Sequence, residues 1–270
     1  MMSLTTWAWI ETAGAVALAI LGAAAGWRCS RWRRPWWLVG YVVPLALVAT
    51  ISAARWFPWL ELYWPVRAIM AGRTEFALLA LVCTMLLTTP LSRLRHRRDR
   101  IVIACFMVVC VISQSVMAFL MPAFNYRQLR DVKTLIDTDG VCIQSNGYTC
   151  GPAAAVTALH SKGVRAEEGE LAILAHTTRF TGTQPDVLCQ VMQQRYGVAC
   201  RQVYFRDISE LKPCVPVVAI VKFAFLIDHF VTVLEVTETT VVVGDPLKGR
   251  VEMTREEFDD RWRRCGIVLD

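Results

Sequence analysis

The 270 residues predict two structural units rather than one, because a 55% hydrophobic content is spread unevenly along them. Residues 1–121 carry 12 Arg, no Lys and 4 acids, a net of +8, whereas residues 122–270 carry 17 Lys+Arg and 19 acids, a net of −2. The overall +6 therefore reports the flanks of membrane segments. With no arginine stripe interleaved with aromatics in the second half, a nucleic-acid partner is excluded.

Four apolar stretches come first: about Thr6 to Trp27, Trp36 to Ala54, Phe76 to Leu91, and Ile101 to Met121. Each approaches or reaches the roughly 20 residues that a spanning helix needs, which predicts an all-α membrane unit of about four transmembrane helices over residues 1–121. The arginines follow the first stretch instead of preceding it, so it is expected to stay as a helix rather than be removed as a signal peptide. Between the second and third, Trp56, Phe57, Trp59, Tyr63 and Trp64 gather around Pro58 and Pro65, with Arg55, Glu61, Arg67 and Arg73 among them. This is the composition of an interfacial aromatic belt. Arg28, Arg31, Arg33 and Arg34 form one basic loop, and Arg93, Arg95, Arg97, Arg98 and Arg100 another. The positive-inside rule places both loops in the cytoplasm and residues 122–270 on the outer face of the membrane.

Residues 122–136 read as a connector, and residues 137–270 as one domain by size. Val141 to Ile143 is a candidate strand. Pro152 suits the first turn of a helix running to about His160, and Gly163 suits its end. Glu167 to His176 predicts a second helix, and Pro185 to about Tyr196 a third, stopped by Gly197. Extended segments follow at Ala199–Phe205, Pro216–Phe223, Phe230–Val236, Thr239–Val243 and Val251–Met253. A short helix over Arg255–Trp262 and a final extended segment at Ile267–Leu269 complete the pattern. Helices first and antiparallel strands afterwards predict an α+β domain.

The chemistry centres on Gln144-Ser145-Asn146-Gly147-Tyr148-Thr149-Cys150-Gly151-Pro152-Ala153-Ala154. A cysteine attacks as thiolate, and Cys150 at a helix N-terminus would sit where partial positive charge favours an anion. His229, on a strand, is a candidate base and later acid. Asp245, at the end of the next strand, is a candidate partner that fixes the imidazole tautomer. The Gln144 amide and the Cys150 backbone N–H are candidate donors to an oxyanion. Taken singly, each residue also has a structural explanation: a small buried thiol, a core histidine, a turn aspartate before Pro246, and a loop glutamine. His160 and His176 lie on predicted helices without a matching acid. Asp228 is a rival for Asp245, but it should point to the opposite strand face from His229.

Residues 137–270 resemble the bacteriocin-processing peptidases, papain-like enzymes that cut leader peptides after a double glycine. The resemblance rests on Gln144 with Cys150-Gly151-Pro152-Ala153-Ala154, on Thr178-Arg179-Phe180-Thr181-Gly182-Thr183, on Pro216-Val217-Val218-Ala219, on His229-Phe230-Val231 and on Gly244-Asp245-Pro246-Leu247-Lys248-Gly249. It implies a papain-like α+β fold with Cys150 as nucleophile, His229 as base, Asp245 as orienter and Gln144 in the oxyanion hole. The expected function is a membrane-anchored cysteine endopeptidase cutting leader or membrane-proximal peptides after small residues such as Gly-Gly, through an acyl-enzyme. Many members of the family form the N-terminal part of an ATP-driven peptide exporter and carry an acidic residue just before the cysteine. Here the helices precede the peptidase, the residue is Thr149, and no Gly-x-x-x-x-Gly-Lys-Ser/Thr motif is present. The expected partners are thus a peptide or protein substrate, the lipid bilayer and a separate peptide exporter, with no ATP site in this chain.

Two other functions share these residues. A thiol amidase or acyltransferase would differ only in the acceptor, and a non-catalytic membrane protein would use the fold to hold a leader peptide. No cofactor is expected. Cys142, Cys189, Cys200, Cys214 and Cys265 show no Cys-x-x-Cys spacing, so no metal is expected either. Excluding Cys150 the domain holds an odd number of cysteines, and Cys189 with Cys200 is one conceivable pair.

Overall fold

The computed structural model describes residues 4–33, 35–57, 59–60, 63–70, 74–113, 117–224 and 227–270. Contacts divide the chain into Met1–Ala123 and Phe124–Asp270.

In the first unit the helices are α1 (Leu4–Ser30), α2 (Val39–Trp56), α3 (Trp64–Met70), α4 (Thr74–Thr88), α5 (Arg97–Val111) and the start of α6 (Met117–Arg130). Among the described residues three segments, Trp9–Ser30, Trp36–Trp56 and Phe76–Arg93, are long and apolar enough to cross a membrane. The fourth expected stretch, 101–121, falls on α5, on α6 and on residues 114–116, which lie outside the described residues, as do Arg34, Pro58, Glu61 and Arg73. Small residues let α1 and α4 approach closely. A Cβ on Gly22 would collide with Thr84 Oγ1, and one on Gly26 with Thr88 Oγ1. Those hydroxyls donate back to Ala80 O at 2.9 Å and Thr84 O at 2.7 Å, so neither faces apolar surroundings unpaired. At one end of this unit the Ser30 and Ser92 hydroxyls touch. There Arg93 Nη2 also donates to Trp32 O at 3.2 Å, which brings the two arginine-rich segments side by side. Trp56, Tyr63 and Trp64 stay exposed, as belt aromatics do.

The second unit holds a two-stranded sheet, β1 (Leu135–Ile136) and β2 (Cys142–Ile143), then α7 (Cys150–Ser161), α8 (Glu168–Leu174) and α9 (Pro185–Tyr196). After these come β3 (Cys200–Tyr204), β4 (Val217–Ala224), β5 (Ile227–Val236), β6 (Thr240–Asp245), β7 (Gly249–Thr254), α10 (Arg255–Arg261) and β8 (Trp262–Leu269). The last six strands form one antiparallel sheet in the order β3-β8-β4-β5-β6-β7. Near-continuous apolar runs explain its centre, because both faces are covered. Val218, Ile220, Phe230 and Ile267 join Ala154, Leu159, Leu171, Leu188 and Met192 in one core, under α7, α8 and α9. The alternate residues Val217, Ala219, Val231 and Val233 join Phe258 and Trp262 in a second core. This is the two-residue alternation of a strand expressed as two cores. Burying Leu159, Leu171 and Leu188 fully stabilises the fold by about 2 kcal/mol each.

Local signals set the element ends. Gly163 and Gly197 have φ of +75° and +67°, and each follows a helix. Thr254 and Glu257 close a reciprocal capping box at the start of α10. The final expected extended segment, Ile267–Leu269, proves to be the end of β8, which begins at Trp262.

Candidate active site

Cys150 is the first residue of α7, so its thiol sits at the helix N-terminus, with Pro152 in the first turn, where a missing N–H matters little. The helix is fastened at that end. Thr232 Oγ1 on β5 donates to Ala154 O at 2.7 Å, and Cys142 N on β2 donates to Thr157 Oγ1 at 2.9 Å. A Cβ on Gly151 would lie 2.8 Å from Thr183 Cβ, so glycine here lets the 177–183 loop close over the start of α7. Hydroxyl contacts hold that loop, with Thr177 Oγ1 and Thr183 Oγ1 2.8 Å apart.

His229, on β5, is 6% exposed. Its Nε2 lies 2.8 Å from Asp245 Oδ1, and Asp245 ends β6 one residue beyond the Thr232–Gly244 pair. The Cys150 side chain is the other group that acts on this imidazole. With Nε2 turned to the carboxylate, Nδ1 is the ring nitrogen left for the sulfur. Burial pulls the His229 pKa down, but the Asp245 carboxylate and the Cys150 side chain outweigh it and raise the value to about 9. Burial pushes Asp245 the other way, yet its hydrogen bonds to His229 and to the Leu247 N–H hold it below the usual carboxylate value. The Phe223 ring, its centroid 5.6 Å from that of His229, lies against the imidazole.

Gln144 is tied to the segment that follows Asp245, since its N–H donates to Pro246 O at 2.9 Å. Its Nε2 donates one hydrogen to Asn146 O at 2.8 Å and keeps a second. Its Oε1 is buried without a hydrogen-bond partner among the described residues. The four residues singled out in the sequence thus come from three separate segments that meet at the start of α7. Asp228 does not join them: its Oδ1 accepts from Arg263 Nε at 2.7 Å. His160 is ten residues along α7 from Cys150, about 15 Å away. Among the described residues no group of three or more His, Cys, Asp or Glu is arranged to hold a metal ion.

Two contributors were invisible in the sequence. Glu168 falls within the expected helix Glu167–His176 with no signal that sets it apart, yet it is fully buried. Its Oε1 accepts from Ser145 N at 2.8 Å and its Oε2 from Ser145 Oγ at 2.7 Å, which holds the residue next to Gln144. Phe223 reads only as the last apolar residue of a strand.

A sequence model of the family described as "Peptidase C39 family" matches residues 139–270. Through this unit the chain belongs to the peptidase C39 family. It is therefore a cysteine peptidase, joined to an N-terminal helical region with long apolar helices. It is 33% identical over 140 residues to an uncharacterized protein of Methanothermobacter marburgensis, which covers 52% of this chain and 94% of that one. A second uncharacterized protein, from Methanothermobacter thermautotrophicus, is 29% identical over 127 residues, 47% of this chain and 85% of that one. Among solved structures, a double glycine motif protease from an AMS/PCAT transporter in complex with the leader peptide is 18% identical with a TM-score of 0.44, covering 52% of this chain and 94% of that one. The peptidase domain of Streptococcus ComA, a bifunctional ABC transporter, is 20% identical with a TM-score of 0.43, covering 51% of this chain and 98% of that one.

Proposed function

We propose that this C39 peptidase is a membrane-anchored endopeptidase in which Cys150, His229 and Asp245 form the catalytic triad and Gln144 lines the oxyanion hole. The observation that carries this reading is the His229 imidazole bonded to the Asp245 carboxylate at 2.8 Å, with the Cys150 side chain also raising its pKa. The raised His229 pKa of about 9 supports an imidazolium at neutral pH, the counter-charge that a thiolate nucleophile needs.

Cys150 Sγ attacks the scissile carbonyl carbon, and the carbonyl π pair moves to oxygen. The free hydrogen of Gln144 Nε2 and the backbone N–H of Cys150 receive that oxyanion. His229 gives its Nδ1 proton to the leaving amine as the C–N bond breaks, leaving a thioester on Cys150 and a neutral imidazole. The imidazole then takes a proton from water, whose oxygen attacks the thioester. Collapse releases the acid and restores the thiolate–imidazolium pair. Asp245 keeps its proton count throughout and fixes the ring.

The substrate we propose is a leader or membrane-proximal peptide cut after small residues such as Gly-Gly. Support comes from the matching motifs and from the double glycine specificity named for the transporter-derived protease. We further propose four membrane spans with the peptidase domain on the outer face, from the two arginine-rich loops at one end of the helical unit. Export of the product would then fall to a separate ATP-driven exporter.

Thiol-probe labelling of the membrane-inserted protein at neutral pH, mapped by peptide mass spectrometry, tests the site. Cys150 is expected to label ahead of the other cysteines, and to slow in His229→Ala. Labelling of Cys150 no faster than the rest, and indifferent to His229, overturns the triad. The mass of the product from a Gly-Gly peptide distinguishes the alternative acceptors, since hydrolysis adds water and transfer adds the amine.

A further inference from the structure

Cys189 and Cys200 are both buried, 7% and 4% exposed, with their sulfurs 2.9 Å apart. One lies in the middle of α9 and the other opens β3, so the contact joins a helix to the edge strand of the six-stranded sheet. Two thiols gain little from such closeness, because sulfur is a weak donor and a weak acceptor. A covalent bond gains much more, by removing freedom from the unfolded chain. The other cysteines of this unit have different surroundings. Cys142 is fully buried, and burial together with the Glu168 charge pushes its thiol up to about 12, which makes it inert. Cys265 Sγ accepts from Gln202 Nε2 at 3.2 Å. Cys150 faces His229.

We propose that Cys189 and Cys200 form a structural disulfide in the mature protein, and that the peptidase domain therefore works in an oxidising compartment. The second half of the proposal has an independent footing. The arginine-rich loops meet at one end of the helical unit, and, on the four-span reading proposed above, the charge rule that puts them in the cytoplasm puts residues 122–270 on the other side, where disulfides persist. The disulfide does not depend on the assignment of the triad.

Closure is a thiol–disulfide exchange. The Cys189 thiolate attacks a sulfur of a disulfide-bearing oxidant, giving a mixed disulfide and one oxidant thiolate. The Cys200 thiolate then attacks the Cys189 sulfur, forms the internal S–S bond and releases the second oxidant thiolate. Two protons and two electrons leave the peptidase, and one oxidant disulfide becomes a dithiol. The hydrogen bond from Cys200 holds the Cys189 thiol below its ordinary value, which favours Cys189 as the first attacker.

The consequence reaches the active site. The bond would staple α9 to β3, and the chain entering α9 carries Thr183, whose side chain sits against Gly151 beside the nucleophile. The staple fixes the segment that packs on the start of α7 without touching Cys150, which stays a free thiol.

The test uses the full chain in its native membrane. Cells are quenched in acid to stop exchange, the protein is denatured and alkylated without reductant, and its peptides are analysed by mass spectrometry. The expected result is a linked pair containing Cys189 and Cys200, two hydrogens lighter than the two free peptides, alongside alkylated Cys150. In Cys200→Ser the pair disappears and Cys189 is recovered alkylated. Reductant should lower the melting midpoint of the purified wild type by roughly 5–10 °C and leave a Cys189→Ala/Cys200→Ala protein unmoved. Recovery of both residues alkylated from unreduced wild-type protein overturns the proposal. An unfolded double variant does not rescue it, because the linked pair is read on the wild type alone.

Discussion

Glu168 holds Ser145 through two hydrogen bonds, from the backbone N–H at 2.8 Å and from the hydroxyl at 2.7 Å, across 23 residues of sequence. The carboxylate is fully buried. The segment that carries Gln144 is thus anchored on α8 as well as on Pro246.

Replacing Glu168 with Ala removes both acceptors that hold Ser145. The expected loss is about 3 kcal/mol of stability, measured by denaturant unfolding of the detergent-solubilised chain. Glu168→Gln should be much milder. Its amide oxygen still accepts from the N–H, and the hydroxyl can turn its one hydrogen to Lys133 O, 3.0 Å away, while accepting from the new amide. Equal losses in the two variants would mean that charge, not hydrogen bonding, holds the segment.

Asp245→Asn removes the carboxylate that raises His229. In the wild type the imidazolium persists until pH rises through about 9, so the basic limb of kcat/KM should lie there. In the variant that limb shifts to lower pH, and the rate at its optimum falls by roughly 10²-fold. Stability follows the same sign. A His pKa raised from 6.5 to about 9 contributes stability that is complete below pH 6.5 and is lost as pH rises through about 9. Unfolding curves at pH 6 and pH 10 should therefore differ less in the variant than in the wild type.

Gly151→Ala places a methyl group 2.8 Å from Thr183 Cβ and 2.9 Å from Thr183 Oγ1. Either the 177–183 loop or the start of α7 must give way, at a cost of about 1–3 kcal/mol and with lower kcat, because the thiol moves. Adding Thr183→Gly, which removes the Cβ as well, should recover part of both losses, and a double-mutant cycle reads the coupling. Independent, additive effects would show that the loop does not press on the nucleophile helix.

Gln144→Ala should lower kcat by about 10²-fold while KM changes little, since the amide donates to an oxygen that is charged only in the transition state. A change confined to KM would instead make Gln144 a substrate-binding residue.

The elements of the peptidase unit were legible because they repeat locally. The helix beginning at Cys150 follows from Pro152 in its first turn, and the strands Val217–Ala224 and Ile227–Val236 from segments rich in β-branched and aromatic residues. One departure is instructive. The final strand starts at Trp262, five residues ahead of Ile267, because Trp262 pairs with Val221 on β4 beyond a register shift that takes in Arg263 and Arg264, which no apolar pattern marks.

The sequence by itself determined the division into an arginine-flanked apolar half and a mixed α+β half, and the order of the cysteine, histidine and aspartate. Those features depend on composition and short spacing, which a chain carries before it folds. Tertiary structure decided which aspartate meets His229, because strand pairing sends Asp228 to Arg263 and Asp245 to the imidazole. It also decided that Glu168 is buried and that Cys189 touches Cys200. Each of those is a contact between segments whose separation in sequence says nothing of their distance in space, and only packing α7, α8 and α9 against one sheet brings them together.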